Sequence, residues 1–310
     1  VVRMARMHPE GPKRVKITLG GWSDYARLES EENAVKAGKL MAKAVQITFA
    51  DGVDLDFEHL SPFDKMAGGT TAAAGPEFRA FAALISTLRT ELDAVSGSWA
   101  DSANARRAAM QAEYDAMEDW QKKNVAQFFN TSFQYLKEVA ANPPPHLEIS
   151  WTTRFNAWVP SYDPYNYATN DPLPAWAQNS SFESDNEGVK FYANVSDKVD
   201  TINVMAYDAT GLKFNYTQIF DNFKRLGGVD LRKVNMGFEP GEQAASGVWE
   251  GLDKDEEVAH YVKDNNVGGG MIWAMNPSPK QAPTGTTLCP KTAKARNPIL
   301  EPTYAFGPPP

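Results

Sequence analysis

The sequence predicts an α/β fold on a parallel sheet, and three observations predict it. Short apolar runs alternate with longer amphipathic stretches, the pattern of βα units. One apolar run carries acids at every second position, an alternation that a strand provides. The chain has 310 residues and 42% hydrophobic content, enough for one barrel of about 250 residues. No internal repeat of roughly 20 to 50 residues interrupts this reading.

The elements follow in order. Val15 to Leu19 is the first strand and ends in Gly20-Gly21. A helix from about Glu31 to Ile47 follows, with Ser30 as its N-cap and two acids in its first turn. Val53 to Phe57 is the second strand. Leu147 to Thr152, Thr201 to Met205, Val234 to Phe238 and Met271 to Trp273 read as four more. The stretches 213–226 and 253–264 are the helices between the later strands.

Two segments depart from the rhythm. Residues 76 to 141 form a long helical block, where one barrel helix needs only about 12 to 15 residues. Phe78, Phe81, Leu84, Leu88 and Leu92 recur at spacings of three and four, an amphipathic face. Met110, Met117, Trp120, Phe128 and Leu136 predict at least one further helix before Asn142-Pro143-Pro144-Pro145 stops it. The block reads as a helical insertion after the acidic strand. The other departure is a Pro-rich C-terminal tail, 277–310, expected to run over the surface. The folded domain is accordingly expected at 1–276.

Six strands are counted where a closed TIM-type (β/α)8 barrel needs eight. The missing pair would precede Val15, and 14 residues stand there. The expected fold is therefore such a barrel without its first two strands in this chain, the 310 residues being part of a longer one. A degenerate barrel is the rival.

Charge narrows the partners. A net charge of -8 and a pI near 5.2 disfavour nucleic acid and anionic membrane surfaces. No apolar run reaches the roughly 18 residues of a membrane span. Sequons at Asn130, Asn179, Asn194 and Asn215 lean towards a secreted or extracellular glycoprotein, and a signal peptide is not among the 310 residues, which does not exclude one removed earlier. The single Cys289 forbids an internal disulfide and reads as an exposed thiol or an intermolecular link. Histidines 8, 59, 146 and 260 lack ligand spacing, so no metal and no cofactor are expected.

The segment Asp51-Gly52-Val53-Asp54-Leu55-Asp56-Phe57-Glu58 carries the functional reading. On a strand, Asp54, Asp56 and Glu58 share one face, and Val53, Leu55 and Phe57 the other. In a parallel barrel the acids line the interior and climb to the C-terminal rim, where such barrels keep their chemistry. Crowded, partly buried carboxyls cannot all ionise, so one stays protonated near neutral pH and can serve as a general acid. Glu58, last in the row, is the expected donor. A solvated edge strand would carry the acids too, but would not explain the apolar opposite face. An EF-hand loop fails at its sixth position, His59, and its twelfth, Lys65.

This octet resembles the DGxDxDxE signature of glycoside hydrolase family 18, the chitinases and endo-N-acetylglucosaminidases. Lys16-Ile17-Thr18-Leu19-Gly20-Gly21-Trp22 is similar to the family's SxGG strand, with Thr18 in place of Ser. Asn203-Val204-Met205-Ala206-Tyr207-Asp208 is similar to its MxYD strand, and Gly269-Gly270-Met271-Ile272-Trp273 to its last strand. The resemblance covers about residues 15 to 276 and implies substrate-assisted retaining hydrolysis of β-1,4 bonds between N-acetylglucosamine units. It implies that Glu58 protonates the glycosidic oxygen, Asp56 orients the substrate acetamide, Asp54 tunes Asp56, and Tyr207 bonds the acetamide carbonyl. Asp208, Trp273, Trp22, Met205 and Gly21 are then the substrate-binding residues, Trp273 as a flat floor for the sugar ring. Trp151 and Trp249 are weaker subsite candidates.

Only about 32 residues separate Phe238 from Met271, too few for the extra α+β domain some members insert there, which implies a shallower cleft. The helical insertion would border the cleft or dock a protein partner. Two other functions compete: a non-catalytic chitinase-like carbohydrate-binding or structural protein, and an endo-N-acetylglucosaminidase acting on N-glycans. Relatives of the first kind lose the Glu that stands here as Glu58.

Overall fold

A computed structural model of the chain describes residues 1–21, 30–57, 76–154, 195–207, 220, 229–238 and 252–273. Six strands form one parallel sheet in the order β1-β2-β3-β4-β5-β6. They are β1 (Lys16–Gly20), β2 (Gly52–Asp56), β3 (Glu148–Arg154), β4 (Thr201–Met205), β5 (Val234–Phe238) and β6 (Gly269–Ile272). Each lies within a few residues of a strand read from the sequence, because apolar runs flanked by Gly, Pro or Asp leave little latitude. The chain divides into two compact units, Val1–Leu19 with Leu28–Leu55 and Ala80–Ile149, and Gly20–Arg27 with Asp56–Arg79 and Ser150–Pro310.

The first unit holds the helices α1 (Val2–Arg6), α2 (Glu31–Thr48), α3 (Pro76–Gly97) from Ala80 on, α4 (Trp99–Asp115) and α5 (Asp119–Ala141). Ser30 caps α2 as expected, its hydroxyl accepting from the Asn33 N–H at 3.2 Å. The buried stripe of α2 is made of small residues, Ala34, Gly38 and Ala42, with Val45. They allow close packing: a Cβ on Gly38 would sit 3.2 Å from the Leu84 carbonyl of α3. On α3 the expected face is buried, with Phe81, Leu84, Leu88 and Leu92 at most 1% exposed. Burying four such side chains stabilises by roughly 6–12 kcal/mol before entropy is counted.

The remainder of the block is two helices. Gly97-Ser98 breaks it once, and Glu118 restarts it with a reciprocal capping box to Gln121. The further helix read from the sequence is present, and burial fixes the inward face of α5. Phe129, Ser132, Leu136 and Val139, at spacings of three and four, are buried, while Phe128 and Trp120 are exposed. One residue is 100° on a helix, so Phe128 turns out when Phe129 turns in.

In the second unit, β3 to β6 pair in parallel, with Thr152 beside Asn203 and Asn203 beside Asn235. Those side chains form a ladder across three strands: Asn203 Nδ2 donates to Thr152 Oγ1 at 3.1 Å, and Asn235 Nδ2 to Asn203 Oδ1 at 2.9 Å. The opposite face is apolar, with Trp151, Ile202, Val204, Val234 and Met236 buried. Helix α6 (Leu252–Asp264) buries Val258, Ala259 and Val262 and matches the expected 253–264 helix. Of the expected 213–226 helix only Phe220 is described; the tail 277–310 with Cys289 lies outside the described residues.

Candidate active site

The site is built on β2. Val53 and Leu55 are fully buried on one face, and alternation sends Asp54 and Asp56 to the other. Gly52 opens the strand where a Cβ would overlap the Glu148 backbone. Asp56 closes it and is 8% exposed. Such a carboxyl is kept in place only where the surrounding structure holds it.

That surrounding structure is the end of β1. Gly20 and Gly21 have φ of 112° and 110°, a region open to glycine and strained for other residues. The Gly21 N–H donates to the Asp56 carbonyl at 2.6 Å, and a Cβ on Gly20 would overlap that same carbonyl. A Cβ on Gly21 would stand 3.8 Å from Asp56 Oδ2. The two glycines thus have separate reasons: the first gives the Asp56 backbone room, the second turns the chain beside its carboxylate.

Asp51, the first acid of the octet, serves another purpose. It is 5% exposed and joins three segments of the first unit. Its Oδ1 pairs with Arg6 Nη2 at 2.6 Å and its Oδ2 accepts the Val15 N–H at 2.8 Å. Its own N–H donates to Val15 O, and its carbonyl accepts from Glu148 N. Arg6 also donates to the Phe49 carbonyl and lies 5.2 Å over the Trp99 ring. Sequence reasoning passed over Arg6, whose only signal is a basic residue in a short helix. Its partners stand 43 and 45 residues away.

The later strands end in the other expected residues. Met205 and Tyr207, 9% and 8% exposed, pack together with Met271 against them. Gly237 makes room for that ring, since a Cβ there would lie 2.8 Å from Tyr207 Cε1. Trp273 continues the ladder beyond β6, its N–H donating to Phe238 O at 2.9 Å, and the residue is 48% exposed. Trp151, by contrast, is 1% exposed. Glu58, Asp208, Trp22, His59 and Trp249 lie outside the described residues, as do Asn179, Asn194 and Asn215. Asn130 is described and stands exposed in the middle of α5. Among the described residues, no three or more His, Cys, Asp or Glu gather as a metal site, and no helix is long and apolar enough to cross a membrane.

Parallel strands bring Asp56, Tyr207 and Trp273 to their C-terminal ends, the edge where α/β barrels hold their reactive groups. The class is thus an α/β fold on a six-stranded parallel sheet, compatible with part of a barrel, with acidic and aromatic residues at the strand ends. The chain is similar in structure to a GH18 chitinase from Pseudoalteromonas aurantia, with a TM-score of 0.50 and 18% identity over 84% of this chain and 70% of that one. It is also similar to a chitinase from Bacteroides thetaiotaomicron, with a TM-score of 0.48 and 12% identity over 88% of this chain and 73% of that one. No family model matches the chain, and no curated protein matches it. The fold is the chitinase-like fold of glycoside hydrolase family 18.

Proposed function

We propose that this chain is a glycoside hydrolase that cleaves β-1,4 bonds in N-acetylglucosamine polymers by the substrate-assisted retaining route. The observation that carries the reading is Asp56, a buried carboxylate at the end of β2 against two glycines of positive φ, with Glu58 two residues on in sequence. Burying a carboxylate is costly, and groups held at such a cost cluster at functional sites.

In this mechanism Glu58 gives its proton to the glycosidic oxygen as the bond to the anomeric carbon breaks. The acetamide oxygen of the same sugar attacks that carbon, forming an oxazolinium ion. Asp56 accepts the acetamide N–H and balances the growing positive charge, with Asp54 tuning it. Tyr207 donates to the acetamide oxygen. Water, deprotonated by Glu58, then opens the ion with net retention. Asp208 holds the distorted sugar, and Trp273 offers its exposed ring to the apolar face of the pyranose. Trp22, Met205 and Gly21 complete the subsite. A secreted setting rests on the four sequons.

The test is release of fluorophore from a fluorogenic N,N′-diacetylchitobioside by the wild type and by Glu58→Gln. Release by the wild type alone supports the reading. Retained binding of chitin oligomers without release from either protein replaces it with a lectin-like role.

A further inference from the structure

Away from the carboxylate strand, the first unit holds a groove of about 330 Å³ lined by Lys43, Gln46, Ile47, Phe49, Ser102 and Arg106. Those residues come from the last turns of α2, the residue that ends it, and one side of α4. Phe49 is 2% exposed and Ile47 51% exposed, so the groove has a buried aromatic and a half-open aliphatic lining. Its other four side chains are polar, and none is an acid.

The polar groups are set but not used up. Arg106 Nη1 donates to the Ile47 carbonyl, one of five N–H donors on that side chain. Lys43 Nζ donates to Gln46 Oε1 at 2.9 Å, and Gln46 Nε2 to Ser102 Oγ at 3.0 Å, which leaves the Ser102 hydroxyl proton to give. Neither Lys43 nor Arg106 has a carboxylate partner among the described residues. The C-terminal end of α2 offers about half a negative charge, against two full positive ones. Burial raises the pKa of the neighbouring Tyr135, while Arg6, Arg106 and Arg3 pull it down and Asp51 adds to the rise. Tyr135 is 9% exposed and, among the described residues, its hydroxyl meets no hydrogen-bond partner. In a chain of net charge -8 this corner has the opposite sign.

We infer that this groove binds a small phosphorylated or sulfated organic molecule. Its anion lies between Arg106 and Lys43, with Gln46 and Ser102 as neutral partners, and its apolar body rests on Phe49 and Ile47. A planar guanidinium fork and a separate ammonium on another helix together offer more donors than the two oxygens of one carboxylate use, which suits an anion with three outward oxygens, and charge-assisted bonds of this kind are the strong ones. The volume stands at the lower end of the small-molecule range, more than a bare phosphate fills. This site uses none of the residues of the hydrolytic reading and stands or falls separately from it.

The test is calorimetric titration of the full chain with phenyl phosphate, phenyl sulfate and inorganic phosphate, at an ionic strength fixed with chloride. The proteins are the wild type, Arg106→Gln, Lys43→Gln, and Arg232→Gln as an exposed cation elsewhere. Expected is saturable one-to-one binding, tighter for a phenyl ester than for inorganic phosphate. Arg106→Gln weakens it about tenfold or more, Lys43→Gln in the same direction, and Arg232→Gln not at all. The stronger of the two phenyl esters identifies the anion. Absence of saturable binding overturns the proposal. So does binding that both groove substitutions leave unchanged, or that Arg232→Gln weakens equally. Arg106 and Lys43 are exposed, so both variants keep the fold, which the melting temperature in chloride verifies.

Discussion

The N–H of Gly21 donates to the carbonyl of Asp56 across 2.6 Å, where β1 and β2 end side by side. The position of the buried carboxylate therefore depends on two residues without side chains. Gly20→Ala places a methyl group on the Asp56 carbonyl, whereas Gly21→Ala meets only an ordinary contact and pays for its positive φ. Expected losses are about 3 kcal/mol or more for Gly20→Ala and about 1–2 kcal/mol for Gly21→Ala. Urea unfolding of the two variants checks the order, and equal losses would refute the steric account.

Arg6 and Asp51 form a nearly buried ion pair, with side chains 15% and 7% exposed. Removing the cation alone strands the carboxylate. Arg6→Met is expected to lose about 3–5 kcal/mol. Arg6→Met with Asp51→Asn should lose less than the sum of the single changes, by about 1–3 kcal/mol, because the amide oxygen still accepts from Val15. A double-mutant cycle by chemical unfolding measures that coupling. Additive losses would mean that the pair contributes nothing beyond its parts.

Tyr207 separates packing from chemistry. Its ring fills the space over Gly237, so Tyr207→Phe keeps the contact and is expected to move the melting temperature by no more than about 2 °C. Under the proposed mechanism the lost hydroxyl lowers kcat about tenfold or more. Gly237→Ala instead forces the ring and the Val204 carbonyl apart and lowers stability. Steady-state kinetics beside melting curves distinguish the two effects.

Trp273 is half exposed, so Trp273→Ala is expected to cost less than about 1 kcal/mol of folding free energy. As a sugar platform it contributes about 0.5–1.5 kcal/mol to binding, so KM for chitin oligomers rises about 2- to 12-fold. An unchanged KM would remove Trp273 from the subsite.

Burial pushes the Tyr135 phenol above its ordinary value, against the pull of Arg6, Arg106 and Arg3, while Asp51 adds to the rise. A raised folded-state pKa means that the unfolded chain releases this proton first. The contribution is then whole below about pH 10 and is lost as the pH climbs through the folded value. Tyr135→Phe removes that sensitivity and leaves stability at pH 7 equal or slightly higher, since the hydroxyl is unsatisfied among the described residues. Unfolding free energies at pH 7 and above pH 10, for both proteins, test the sign.

Much of the fold is legible in the sequence where one physical rule acts alone. Alternation fixes the two faces of β2, the spacing of Phe81, Leu84, Leu88 and Leu92 fixes the inner face of α3, and Ser30 marks where α2 begins. Legibility fades where two rules compete. Phe128 and Phe129 are adjacent and equally apolar, so composition does not say which turns inward. Burial settled it, because Ser132, Leu136 and Val139 already lie on the face of Phe129.

By itself the sequence determined the strands, their order, and an acidic row facing one way, since these follow from local periodicity and from backbone freedom at glycine. Only the tertiary structure decided what each acid meets. Asp51 and Asp56 look alike in the octet, yet one is bound to an arginine 45 residues earlier and the other is enclosed by Gly20 and Gly21. A carboxylate takes its role from the charges and donors around it, and those are assembled from distant parts of the chain.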